Sequence, residues 1–182
     1  ESGTMRGMIC YSDNINTLEM SRRIKAFALR SYVPTVSAWD SKTYGDGPRK
    51  VALMDYGVKH NIIRSLTQRG CTVKCFPYDT SFDEVKAWNP DGIMLSNGPG
   101  DPKECGPQIA EIKRMYESDI PIFAICLGHQ LMALANGGDT YKLKYGHRGI
   151  NHPVKDLASN RVYITSQNHG YVVDADTIDP KI

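Results

Sequence analysis

Residues 121–138 read PIFAICLGHQLMALANGG. The first five look like a short buried strand, and the strand gives way at Cys126 to a Leu-Gly-His-Gln turn. HQLMALAN then has a helical pattern, stopped by Gly137 and Gly138. A strand that breaks sharply into a helix is the geometry in which hydrolases present a nucleophile. The tight turn exposes the side chain, and the next backbone N–H can face a developing oxyanion. A helix N-terminus also favours a thiolate. Two readings of Cys126 stand at this point: a nucleophile on an elbow, or a small buried apolar residue, as most intracellular cysteines are.

The same alternation extends back toward residue 50. VALMDY (51–56) reads as a strand, and KHNIIRSLTQRG (59–70) as a helix with Ile62, Ile63 and Leu66 on one face, ended by Gly70. CTVKCFP (71–77) reads as a strand. SFDEVKAW (81–88) opens a helix with Ser81 and Glu84 as a capping box. DGIMLS (91–96) is a strand, and PQIAEIKRMYES (107–118) a helix turning Ile109, Ile112 and Met115 or Tyr116 inward. Strands separated by helices imply an α/β fold, a mostly parallel, doubly wound sheet with helices on both faces. After Asp139 the pattern becomes short polar strands without helices: TYKLKYG, NHPVKD, RVYITSQ and YVVDAD. Before residue 50, MRGMICYS (5–12) reads as a strand, NTLEMSRRIKAFA (16–28) as a helix and SAWDSKTYGDGPRK (37–50) as a linker. The expected division is therefore a 1–49 segment and a 50–182 domain.

In open α/β sheets ligands bind beyond the carboxyl ends of the strands. Two loops fall there, CLGHQ after PIFAI and SNGPGD after DGIML. The second fits a rigid turn, and it equally fits a substrate loop whose glycines let backbone N–H groups reach a ligand. No Gly-Lys-Ser/Thr follows it, which argues against a phosphate loop, and the chain has no dinucleotide fingerprint.

Composition narrows the function classes. Of 182 residues 41% are hydrophobic and 23% charged, enough apolar residues for a core. The mean hydropathy is −0.40, and no run approaches the roughly 20 apolar residues of a membrane span. Lys and Arg (22) and Asp and Glu (20) are interspersed for a net charge of +2, so neither nucleic acid nor a membrane is the expected partner. Five cysteines without paired spacing fit a reducing, cytoplasmic setting. Cys71 and Cys75 lack the second ligand pair that a zinc site needs, so no metal is expected.

AICLGHQLMALA (124–135), preceded by LSNGPGDP (95–102), resembles the class I (triad) glutamine amidotransferases. VALMDYGVKHNIIRSLTQRGCTVKCFP, GHRGINHPVKD and SQNHGYVVD are similar to the small, glutaminase subunits of carbamoyl-phosphate synthase, and the resemblance runs from Lys50 to about Asp176. Residues 1–49 resemble the end of that subunit's N-terminal domain and its linker, and the sequence looks truncated at both ends. The resemblance implies hydrolysis of the glutamine side-chain amide to glutamate and ammonia. The ammonia would pass to a large synthetase subunit that makes carbamoyl phosphate from bicarbonate with its own ATP and magnesium, for arginine and pyrimidine synthesis. No cofactor is implied in this chain. Cys126 matches the nucleophile that forms a glutamyl thioester. The Leu127 N–H, helped by Gly98, matches the oxyanion site. Gln130, Gly98, Gly100, Asn168, Gly170 and Tyr171 match positions that hold glutamine.

Two departures stand out. Ala124 occupies a position that is usually Gly in the family. The Gly-His-Pro-Glu segment that supplies the family's base and its orienting carboxylate occurs nowhere in the 182 residues. His129 and His60 lie at helix starts, His147 and His152 match family-typical positions without a catalytic role, and His169 adjoins substrate positions. None of them is nominated as a replacement base. The expectation is a glutaminase of reduced turnover. The alternatives are a non-catalytic module that binds glutamine or docks on the large subunit, and the amidotransferase component of another synthetase.

Overall fold

The computed structural model describes residues 7–11, 14–27 and 32–179. They fall into two compact units, one drawn from residues 1–30 and 142–170, the other from 31–141 and 171–182.

The larger unit is built on a five-stranded sheet. Its strands are β1 (Lys42–Tyr44), β2 (Arg49–Asp55), β3 (Cys71–Pro77), β4 (Gly92–Leu95) and β5 (Ile122–Ala124), in the order β1-β3-β2-β4-β5. β2 pairs in parallel with both β3 and β4, β4 with β5, and β1 runs antiparallel to β3. The helices are α2 (Val33–Val36), α3 (His60–Thr67), α4 (Phe82–Ala87), α5 (Gly106–Tyr116) and α6 (Leu127–Ala135). Strand residues alternate between the sheet's two faces, and here both faces are covered. Ala52, Met54, Ile93 and Leu95 pack with Phe82, Val85, Ile112, Met115, Leu127 and Leu131 of α4, α5 and α6. Leu53, Val73, Cys75 and Met94 pack with Ile63 of α3. The expected doubly wound arrangement is present. In α5 the inward residue is Met115, while Tyr116 is 42% exposed. Ser81 and Glu84 form the expected capping box of α4.

Four expectations are corrected. The stretch 37–50 is not simply a linker, because Lys42–Tyr44 finds free backbone groups on the edge of β3, and Val33 buries itself in the core ahead of it. PIFAI is not a fully buried strand. β5 lies at the sheet edge, and Phe123 is 67% exposed. The strand expected over 5–12 is not formed at residues 7–11, and its other residues lie outside the described set. The short strands after Asp139 merge into two long ones, β6 (Asp139–Lys155) and β7 (Val162–Asp174), which form a separate two-stranded sheet. Gly146, Gly149 and Pro153 do not break β6, because a strand with only one partner tolerates a missing donor or a local kink on its free edge. The smaller unit holds most of this hairpin and helix α1 (Thr17–Ala26), capped by the Asn16 side chain on Glu19 N–H at 3.0 Å.

The core carries buried ionisable groups. Burial, and secondarily the negative charge of Asp55, push the Cys75 thiol up to about 12 from 9.0. Burial also drives the Tyr56 phenol upward. A folded-state pKa above the unfolded one means that stability is complete below the unfolded pKa and is lost as pH rises toward the folded one. Unfolding free energy is therefore expected to hold steady from pH 7 to about 9. It should then drop by roughly 2–3 kcal/mol by about pH 11 for Cys75 alone. Urea titrations at a series of pH values check this. Cys75→Val should flatten part of the alkaline slope, and an unchanged slope would refute the assignment.

Candidate active site

The elbow is set by the end of β5 and the start of α6. Cys126 is the N-cap residue of α6 and adopts φ 53°, ψ −110°. A positive φ is costly for a residue with a Cβ, and such strain concentrates at functional positions. The turn is held on both sides of the residue. Gly128 N–H lies 3.0 Å from the carbonyls of both Ser96 and Ile125, and Ile125 N–H donates to Leu95 O at 3.0 Å. Gly128 must be glycine, because a Cβ there would stand 2.5 Å from Leu95 O and 2.7 Å from Leu95 C, both backbone atoms of β4.

Cys126 is half-buried, and its pKa lies above the ordinary thiol value. Burial dominates, opposed by a hydrogen bond from the Leu127 backbone N–H and by the positive charge of Lys59. This corrects the expectation that the helix N-terminus by itself favours thiolate: the loss of water around the sulfur outweighs the amide and the lysine. No imidazole is among the groups acting on the sulfur. The structure therefore leaves the thiol mostly protonated at neutral pH.

Two loops at the carboxyl ends of β2 and β4 are locked together beside this turn. Asp55 Oδ1 accepts from Gly57 N–H (2.9 Å) and Val58 N–H (2.8 Å), and its Oδ2 accepts from Ala38 N–H (2.9 Å). Ser96 Oγ accepts from Tyr56 N–H at 2.9 Å. Asn97 Nδ2 donates to Gly57 O (3.0 Å), while its Oδ1 accepts from Lys59 N–H (3.1 Å). Gly98 fits closely against this assembly, since a Cβ would overlap the Tyr56 carbonyl oxygen and come within 2.7 Å of Leu127 Cδ2. Gly100 has φ +102°. The SNGPGD loop is thus a rigid platform pressed against the residue after the cysteine.

Gln130, buried on α6, donates from Nε2 to Tyr171 O at 2.7 Å, and the Tyr171 hydroxyl hydrogen-bonds Asp101. Burial and the Asp101 carboxylate raise the Tyr171 phenol. The larger unit therefore assembles Cys126, Leu127, Gln130, Gly98, Gly100 and Tyr171, drawn from two loops, one helix and the end of β7. Asn168 and Gly170 lie on β7 in the smaller unit, with Asn168 exposed. Sequence reasoning missed Asp55, Ser96 and Asn97, which shape the loops, and Lys59, whose charge reaches the sulfur. An Asp before Tyr-Gly at the end of an apolar strand is a readable turn signal. Lys59 leaves no such mark, because its effect depends on distance alone. Among the described residues no cluster of three His, Cys, Asp or Glu is arranged to hold a metal, and no helix is long and apolar enough to cross a membrane.

With this geometry in hand, comparison with known proteins defines the class. Residues 52–182 match the class I glutamine amidotransferase family, and the chain belongs to it. Its relatives are narrower in kind. It is 52% identical over 172 residues to the carbamoyl phosphate synthase small chain of Clostridium perfringens, covering 94% of this chain and 49% of that protein. It is 48% identical over 182 residues to the small chain from Listeria monocytogenes serotype 4b, covering 98% and 49%. The chain thus spans about half the length of the curated relatives it matches. A solved glutamine amidotransferase from Thermotoga maritima shares the fold, with TM-score 0.52 and 18% identity over 69% of this chain and 62% of that one.

Proposed function

We propose that this chain is the glutamine-hydrolysing part of a carbamoyl phosphate synthase small subunit, with Cys126 as the nucleophile. The observation that carries the reading is the strained Cys126 elbow, with the Leu127 N–H directed at the sulfur. The identity to small chains over nearly the whole sequence supports the synthase assignment over other amidotransferases.

In this mechanism Cys126 Sγ attacks the side-chain amide carbon of glutamine. The oxyanion that forms is held by the Leu127 and Gly98 N–H groups. Collapse breaks the C–N bond, ammonia leaves with the proton the thiol gave up, and a glutamyl thioester remains. Water then attacks the thioester to release glutamate. Gln130, Gly98, Gly100 and Tyr171 of the larger unit hold the amino acid, with Gln130 and Asp101 fixing Tyr171. The ammonia serves a large synthetase subunit that uses ATP and magnesium, and the setting is cytoplasmic. This chain itself supplies binding and nucleophile, and no cofactor. Because the thiol pKa is raised, both acylation and deacylation depend on a base that the 182 residues do not offer in the family's Gly-His-Pro-Glu form. Slow acylation is the expected behaviour of the chain alone.

Occupancy of the site can be read without turnover. Glutamine should protect Cys126 from alkylation by iodoacetamide at least several-fold, whereas asparagine, one methylene shorter, should not. Peptide mapping identifies the labelled cysteine. Equal labelling with and without saturating glutamine would overturn the reading in favour of a module that docks without binding substrate.

A further inference from the structure

Ser96 follows the last residue of β4 in the larger unit and is completely buried. The direction of its hydroxyl follows from its partners. Tyr56 N–H lies 2.9 Å from Ser96 Oγ, and a backbone N–H only donates, so the oxygen accepts there. The single hydroxyl proton is left for the Asn97 carbonyl, 2.9 Å away. Among the described residues no other group donates to that carbonyl.

The Asn97 carbonyl and the Gly98 N–H belong to one planar trans peptide, so they point in opposite directions. Whatever orients the carbonyl therefore orients the N–H. The Asn97 side chain cannot do this alone. Its Nδ2 and Oδ1 tie it to Gly57 O and Lys59 N–H, which anchors the residue but leaves the following peptide plane to turn. Gly98 opposes such a turn weakly, because glycine takes positive and negative φ about equally. Among the described residues none accepts from the half-buried Gly98 N–H, which leaves it available to a ligand. The backbone of Ser96 has a second task, since its carbonyl accepts from Gly128 N–H at 3.0 Å in the Cys126 turn. One residue thus grips the elbow through its main chain and the neighbouring loop through its side chain.

We propose that Ser96 is a positioning residue for the oxyanion site: its hydroxyl, held by the Tyr56 N–H, fixes the plane of the Asn97–Gly98 peptide and so the direction of the Gly98 N–H. This rests on the reading of that N–H as an oxyanion donor. Ser96 does not touch substrate. It spares the developing oxyanion the cost of turning a peptide at the moment of reaction, which is what makes a preorganised donor effective. The elbow depends on the Ser96 carbonyl, which every side-chain variant keeps.

The test compares three quantities on the full 182-residue chain at one pH. Acid-quenched intact mass gives the rate of glutamyl adduct formation. Iodoacetamide labelling with peptide mapping gives the reactivity of Cys126, and protection from it gives the glutamine Kd. Ser96→Ala should slow adduct formation about 10- to 100-fold, at or below the loss of a whole oxyanion donor. Alkylation displaces iodide and builds no oxyanion, so its rate and the glutamine Kd should each stay within about twofold of wild type. Ser96→Cys is closer in size and keeps only a weak donor, so it should slow adduct formation about threefold or more. It carries the test if Ser96→Ala fails to fold. The proposal is overturned if adduct formation keeps its wild-type rate in the variants. It is equally overturned if adduct formation, alkylation and Kd deteriorate together, which is the result of a merely structural role. A wild-type chain that is alkylated at Cys126 but forms no adduct would instead sink the oxyanion reading, and this role with it.

Discussion

Cys126→Ala should abolish the covalent adduct that glutamine is expected to leave on the wild-type chain. In an acid-quenched intact-mass experiment, wild type is expected to gain the mass of glutamine less ammonia on a fraction of molecules, mapped to the peptide carrying Cys126. The variant should gain nothing. The expected effect is all-or-none because no other side chain shares the elbow: Cys126 is the cysteine at a strand-to-helix turn with the next amide aimed at its sulfur. Cys75 and Cys105 are buried in the core, and the Cys75 thiol is held neutral far above physiological pH. The thioester can form only on a nucleophilic side chain, so with the thiol replaced by a methyl group residual acylation would lie below detection. Glutamine binding should survive, since a methyl group replaces the thiol and the surrounding hydrogen bonds are made by backbone and by Gln130. An adduct that persists in Cys126→Ala would overturn the assignment, and so would its absence in wild type at a pH high enough to ionise the thiol. The rate of adduct formation should rise with pH, because burial holds the thiol above its ordinary range and each step upward increases the thiolate fraction.

Gly128→Ala should destabilise the fold severely. The new methyl would stand 2.5 Å from Leu95 O and 2.7 Å from both Leu95 C and Leu95 Cβ. Those neighbours belong to a strand paired on both sides, so they cannot yield as a flexible side chain would. Relief requires α6 to move off the sheet. That movement breaks the Gly128 hydrogen bonds to Ser96 and Ile125 and lifts Leu127 and Leu131 out of the core. Overpacking alone costs roughly 1–3 kcal/mol, and lost hydrogen bonds and apolar burial add to it. A total of about 3–5 kcal/mol is a large part of the ~5–15 kcal/mol that a domain of this kind possesses. Gly7→Ala provides the control. Gly7 is exposed, and nothing beyond its chain neighbours lies within 4 Å of where its Cβ would stand, so alanine there should change stability by less than about 0.5 kcal/mol. Urea midpoints of the two variants decide the matter; similar midpoints would show that α6 can shift at little cost.

Much of this molecule was legible from its residues because its elements have local causes. The alternation of apolar runs with amphipathic stretches defined β2 to β5 and α3 to α6, and the Ser81–Glu84 box and Gly70 marked helix ends through chemistry confined to a few neighbouring residues. The elbow was legible for the same reason: an apolar strand, a cysteine, a glycine two residues on and a helical run occupy one contiguous stretch. What lay beyond the sequence depends on distance between residues far apart in the chain. Lys42–Tyr44 became a strand only because the edge of β3 was open to it, and β5 became an edge strand only through the sheet order. The interlock of Asp55, Ser96 and Asn97 joins loops some forty residues apart. The state of the Cys126 thiol was decided in the same way. Its place at a helix N-terminus, whose amide favours thiolate, follows from a few neighbouring residues. Only the packed structure determined how much water is excluded from the sulfur, and desolvation, which grows with burial, outweighed the amide and Lys59 together.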